Sequence, residues 1–200
     1  MIYYILGKSS SGKDTIYHRL LQDKELKLQE ITGYTTRPIR SGEMDGREYH
    51  FVTKQQMEAM EQQGMIIEKR GYLTAHGVWH YFTAKDESVN IEKENYLLIG
   101  TLESYRKVRD YFGNQWVMPF YIEVEDGLRL QRALDRERQQ EKPDYYELCR
   151  RFLADSADFD EQTLQSAGIT KKYENIDIEK CLKRMKAEMK VERAVDNKWK

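Results

Sequence analysis

Gly7, Gly12 and Lys13 stand in register within the run Gly7-Lys8-Ser9-Ser10-Ser11-Gly12-Lys13-Asp14-Thr15. That spacing suits a phosphate cradle. Phosphate oxygens need several backbone N–H donors converging on one point, and glycines let the chain turn and approach closely enough to supply them. Lys13 adds a mobile charge that follows the β- and γ-phosphates as charge moves during transfer. The next position usually holds Ser or Thr as a Mg²⁺ ligand, but here it is Asp14. A carboxylate there either orients Mg²⁺, with Thr15 capping a phosphate oxygen, or favours the positive end of the following helix.

Residues 34–49 hold a second set, with Arg37, Arg40 and Tyr49 among closely spaced glycines. Two guanidinium groups three residues apart in a loop can converge on one phosphate, and a tyrosine hydroxyl adds a donor. Each charge-assisted contact contributes about 1.5–3 kcal/mol.

Definite elements must hold these groups in place. Ile2-Tyr3-Tyr4-Ile5-Leu6 has no polar alternation and ends at a glycine, which predicts a strand buried on both faces. Ile16, Tyr17, Leu20 and Leu21 recur at helical spacing beside His18, Arg19 and Asp23, which predicts an amphipathic helix. Strand, glycine loop and helix in succession open an α/β unit. Tyr96-Leu97-Leu98-Ile99 and Phe120-Tyr121-Ile122-Glu123-Val124 read as further core strands, with helical residues 103–111 between them. Residues 33–82 contain short apolar runs between glycines, which suggests a small, mainly β subdomain with a helix over 55–63. Residues 126–160 predict two charged helices joined near Pro143, and the basic stretch 183–200 a solvated helix and tail.

Composition narrows the function classes. A chain of 200 residues with 40% hydrophobic content buries one good core. Its 33 basic and 34 acidic residues nearly cancel, so no uniform field points to nucleic acid or membrane, and any anion site is local. Cys149 and Cys181 lie too far apart for a zinc or disulfide framework, and the first apolar run is interrupted by Lys8. A reduced, cytoplasmic protein is expected. His76 and His80 lack a metal-ligand pattern and read as loop polar groups. Oligomeric state is not legible.

Thr35-Thr36-Arg37-Pro38, then Arg40, Gly42-Glu43 and Gly46-Arg47-Glu48-Tyr49, resembles the nucleotide-binding segment of guanylate kinases. The resemblance is strong over 6–15 and 35–52 and weaker elsewhere. It implies a P-loop kinase fold: a mostly parallel central sheet, a small mainly β acceptor-binding subdomain and a helical lid. All of it is one domain, with core residues 1–32, 84–125 and 152–200, acceptor residues 33–83 and lid residues 126–151. The implied reaction is ATP-dependent phosphorylation of GMP to GDP with Mg²⁺, small nucleotides being the partners.

By the same resemblance, ATP is held by Gly7 to Thr15 together with Arg132 and Asn175. Lys13, Arg136 and Arg151 are catalytic. GMP is held by Arg37, Arg40, Tyr49, Glu68, Tyr81 and Thr83, with Glu68 reading the guanine N–H groups, and Asp14 is the metal candidate. Two departures concern the base. Leu98-Ile99-Gly100 stands where the family carries a strand-end Asp-x-Asp, and Gly33 stands where it carries a serine. They leave open a kinase of another phosphorylated small molecule, such as a ribose phosphate, or a catalytically silent guanylate-kinase-like binding module.

Overall fold

The computed structural model describes residues 1–40, 42–74, 77–86 and 89–196. Strand β1 (Ile2–Leu6) is buried at every residue. It lies at the centre of a five-stranded parallel sheet with β2 (Leu28–Glu30), β7 (Asn95–Gly100), β8 (Val117–Glu123) and β9 (Lys172–Glu174), in the order β2-β7-β1-β8-β9.

Alternation along β1 feeds two core layers. Tyr3 and Ile5 pack with Ile16, Tyr17 and Leu20 of α1 (Lys13–Leu21) and with α7 (Ile178–Asp196). Ile2, Tyr4 and Leu6 pack with α3 (Leu102–Phe112) and with Leu164 of α6 (Glu161–Ser166). Register sets Leu6 beside Gly100 and Tyr121, so the loop after β1 opens at the carboxyl end of the sheet. In open α/β sheets ligands bind at that end.

The C-terminal stretch departs from the solvated helix expected of it. Its charges dominate the sequence, yet Cys181, Leu182, Met185 and Met189 recur at helical spacing and are fully or almost fully buried. α7 is therefore a core helix with a charged outer face. His76 lies outside the described residues, and His80 sits in β6 (Gly77–Ala84).

A second sheet, ordered β4-β3-β6-β5, contains β3 (Tyr34–Thr35), β4 (His50–Phe51), β5 (Ile66–Thr74) and β6. Between β4 and β5, α2 (Lys54–Gln62) begins at a reciprocal cap in which the Thr53 side chain accepts from the Gln56 amide and the Gln56 side chain from the Thr53 amide. The Phe82 ring stacks on Tyr34 at 5.1 Å and packs with Met57 and Ala84.

Helices α4 (Asp126–Arg138) and α5 (Tyr145–Asp158) flank Pro143 and are capped by the Glu125 and Asp144 carboxylates. No helix among the described residues is long and apolar enough to cross a membrane.

Candidate functional site

The loop from β1 to α1 is built for close approach. A Cβ on Gly7 would lie 2.6 Å from the Ile122 carbonyl oxygen, and Gly12, at φ +82°, leaves room for the Asn175 amide, which a Cβ would meet at 2.5 Å. Asn175 donates from Nδ2 to the Ser11 carbonyl at 2.8 Å, while its own carbonyl accepts from Arg132 Nη2 at 3.0 Å. The amides of Lys13, Asp14 and Thr15 open α1, where no intrahelical acceptor exists. Ser10 and Ser11 each bury a hydroxyl with no hydrogen-bond partner. Free amides, orphaned hydroxyls and Lys13 make a donor set suited to phosphate.

Asp14 is exposed on the first turn, with its carboxylate 3.6 Å from Lys13 Nζ. Among the described residues no three His, Cys, Asp or Glu side chains form a metal cluster. A lone carboxylate still fits Mg²⁺, which binds through one or two carboxylates plus substrate phosphates.

Arg136 and Arg151 both line a cavity of about 390 Å³ between the helices α4 and α5 and the loop residues Ser9 and Ser10. Glu147 accepts from Arg151 Nε at 2.7 Å and from Arg150 at 2.7 and 2.9 Å. The hydrogen bonds from Arg150, then those from Arg151, hold the Glu147 carboxyl down at about 2.

Arg129, which the sequence left unmarked, is 1% exposed and ties α4 and α5 to the loop. It donates to Asp126 at 3.0 and 3.1 Å, Asp155 at 3.2 Å and the Ser9 carbonyl at 3.3 Å, and its guanidinium lies 4.0 Å from the Phe152 ring centroid. Asp155 in turn accepts from the Ser9 amide at 2.7 Å. The only cue along the sequence was the Asp126–Arg129 spacing of one helical turn, which usually marks a surface pair.

In the segment between β3 and β4 Arg37 is 5% exposed and donates to both oxygens of Glu43, at 2.6 and 2.7 Å, and to the Pro38 carbonyl at 3.0 Å. Its guanidinium lies 5.4 Å from the Tyr49 ring centroid and 5.2 Å from that of Phe51. The Tyr49 ring meets Tyr81 at 5.5 Å. Burial raises the Tyr49 phenol, with a smaller contribution from the neighbouring Tyr81. Arg40 is exposed, and its backbone amide donates to Glu43 at 2.8 Å. Gly33 packs on the Tyr49 ring with room for a Cβ at 3.7 Å.

Hydrogen bonding from Arg37, then from the Arg40 amide, pushes the Glu43 carboxyl down to about 2, against an ordinary 4.5. A depressed folded-state value stabilises above the unfolded value and is lost as pH falls toward the folded one. The gap in urea unfolding midpoint between the wild type and Glu43→Gln is therefore widest above pH 4.5 and closes toward about 2. A gap independent of pH would contradict this pairing.

Glu68 is 2% exposed and bound within the protein by Arg70 and Thr83, and Thr83 itself is buried. Thus Arg37, Tyr49 and Tyr81 gather in one aromatic-walled cluster, with Glu68 and Thr83 on the neighbouring strands β5 and β6. Gly7 to Thr15, Arg132 and Asn175 form the loop end, and Arg136 and Arg151 face it across the cavity.

Residues 2–95 match the family model described as guanylate kinase. Over that segment the chain is similar to guanylate kinases. The guanylate kinase of Schizosaccharomyces pombe is 41% identical over 64 residues, covering 32% of this chain and 32% of that protein. That of Porphyromonas gingivalis is 30% identical over 120 residues, 59% of this chain and 62% of that protein. The chain spans about a third of the length of the curated relatives it first matches, 32% to 37%. Guanylate kinase from Anaplasma phagocytophilum shares the fold, with a TM-score of 0.60 over 96% of this chain and 85% of that one at 22% identity. The family match contains both the phosphate loop and the Arg37–Tyr49 segment; α4, α5 and their arginines lie beyond it.

Proposed function

We propose that the protein transfers the terminal phosphoryl group of ATP directly to the phosphate of GMP, giving GDP and ADP. The observation that carries the reading is the pairing of a glycine–lysine phosphate loop with a buried, pre-set arginine beside Tyr49 in one family-matched segment. Residues 33–83 hold the acceptor and residues 126–151 act as the lid.

In this reading the first-turn amides of α1 and the Ser10 and Ser11 hydroxyls hold the donor phosphates. Arg132 and Asn175 brace the loop. Arg37, locked by Glu43, joins Arg40 and Tyr49 in aligning the acceptor phosphate at little conformational cost, because its rotamer is already fixed. Lys13, Arg136 and Arg151 neutralise charge that spreads over the equatorial oxygens as the phosphoryl group passes between acceptor and leaving oxygens. No covalent enzyme intermediate is required. Mg²⁺, where bound with ATP, would be held by Asp14 and the phosphates and would supply charge neutralisation.

A coupled assay with ATP and Mg²⁺ against GMP, dGMP, AMP, UMP and ribose phosphates tests the reading, with GMP the expected acceptor. Turnover of sugar phosphates alone overturns it, as does no turnover at all. Arg37→Ala raises the GMP KM by about tenfold or more, the cost of one charge-assisted contact, and leaves the ATP KM within about twofold. A change confined to the ATP KM would reverse the donor and acceptor ends.

A further inference from the structure

Lys8 to Ser11 make a turn closed by the Ser11 amide, which donates to the Lys8 carbonyl at 3.2 Å. Its third residue, Ser10, stands at φ +62°, whereas Ser9 does not lie at positive φ. That is the type II pattern, whose third position asks for glycine or asparagine because a Cβ there crowds the following carbonyl. Serine in that place needs support from outside the turn.

The support comes from α4 and α5. In a type II turn the central peptide, here Ser9 C=O to Ser10 N–H, is rotated by about half a turn from its type I orientation. Arg129 Nη1 donates to that carbonyl at 3.3 Å, and the same nitrogen donates to Asp155 Oδ2 at 3.2 Å. Asp155 Oδ2 also accepts from the Ser9 amide at 2.7 Å. Both backbone polar groups of Ser9 are thus held by one ion pair. On the other flank of the guanidinium, Asp126 accepts from Nε and Nη2 and takes Lys8 Nζ at 3.3 Å. The Arg129 side chain is buried and lies on the Phe152 ring, so its direction is fixed.

A trans peptide points its N–H opposite to its C=O, and no peptide bond among the described residues is cis. With the Ser9 carbonyl drawn to Arg129, the Ser10 N–H is turned away from it. That amide donates to no group among the described residues, and the Ser10 hydroxyl is buried without a partner. Two unspent donors on one strained residue, in the same loop as Lys13, are what a phosphate oxygen takes up. Rotating the peptide back would relieve the Ser10 backbone and swing its N–H round to a cation. Resting on the reading of this loop as the donor phosphate site, we propose that Arg129, aimed by Asp155, is a positioning residue for ATP: it holds the Ser9–Ser10 peptide in the orientation that presents the Ser10 amide to the donor phosphates.

The test is the affinity of ATP with Mg²⁺, measured by calorimetry on the full chain without GMP, for the wild type, Arg129→Lys, Ser10→Gly and the double variant. Lysine keeps a cation for Asp126 and Asp155 but, with one nitrogen, loses the fixed fork onto the Ser9 carbonyl. Arg129→Lys is expected to weaken ATP about tenfold, because apparent affinity falls with the fraction of loops in the competent turn. Glycine takes a positive φ without steric cost. In the Ser10→Gly background, itself weakened by loss of the hydroxyl, the same lysine substitution therefore costs less than about threefold. GMP affinity stays within about twofold of wild type when Arg129 is changed, since Arg37 is locked by Glu43 and not by α4 or α5.

An ATP loss of the same size with serine or glycine at position 10 overturns the proposal, for an arginine that only stabilises the fold is indifferent to the left-handed residue. An Arg129→Lys affinity within about twofold of wild type overturns it too, as does a matching loss of GMP affinity, which marks general loosening. These outcomes leave the kinase reading standing. Urea midpoints check that each variant is folded. Should Arg129→Lys not fold, Asp155→Asn, which keeps an acceptor for the Ser9 amide but not the charge that aims Arg129, is measured in the same two backgrounds with the same outcomes deciding. Failure of the wild type to bind ATP overturns the donor-site reading along with the proposal.

Discussion

Lys13→Ala lowers kcat about a thousandfold, the scale seen when one preorganised charge partner of a transferring phosphoryl group is lost. The side chain is 20% exposed and carries one ion pair, 3.6 Å from Asp14. That contact is loose and its partner is 75% exposed, so the ammonium is free to follow charge between the bridging and terminal phosphates. The ground-state phosphates keep the first-turn amides of α1 and the two buried hydroxyls. The ATP KM therefore rises less than about tenfold, because an interaction strengthened only in the transition state is lost from kcat. Steady-state kinetics with ATP varied at saturating GMP separates the two effects. A variant whose kcat stays within about twofold while the ATP KM climbs would assign Lys13 to uniform binding instead.

The parts legible in the sequence were those governed by local pattern. β1 and β8 announced themselves because strands covered on both faces read as unbroken apolar runs. The phosphate loop was legible because its chemistry demands glycines at fixed offsets, and Gly7 and Gly12 meet their neighbours at distances no Cβ would tolerate. Residues whose role depends on distant partners were not. Met185 and Met189 sit among lysines and glutamates, so charge hid a buried stripe until the sheet supplied the other half of the contact. Nothing in Glu68-Lys69-Arg70 says that the arginine folds back onto the carboxylate. The glycine at position 100 looked like a lost acid, whereas the crowding there comes from Tyr4 of β1, which neighbours β7 in the sheet but lies far from it in sequence. The resemblance pointed to segments suited to phosphate; it could not indicate which side chains this chain had already committed to one another.

Arg129 is the sharpest case, and its removal carries the largest effect on stability. Arg129→Ala destabilises the fold by about 3 kcal/mol, toward the lower end of what breaking a buried ion pair costs. The lower end applies because one partner, Asp126, is 48% exposed and rehydrates easily, whereas Asp155 is 16% exposed and stays buried without its cation. Asp155 also holds the Ser9 amide, so the variant leaves a carboxylate against the phosphate loop with only that amide and nearby water as donors. The urea midpoint of the single variant measures the loss. A double-mutant cycle with Asp155→Ala measures its cause: deleting both partners removes the stranded charge, so the double variant is no less stable than Arg129→Ala, with a coupling of about 2 kcal/mol. Because α5 reaches the loop through Asp155 and α4 through Arg129, the same cycle read in ATP affinity follows the same sign. Strictly additive effects would mean that Arg129 stabilises through its packing on Phe152, with the bridge to the loop contributing nothing.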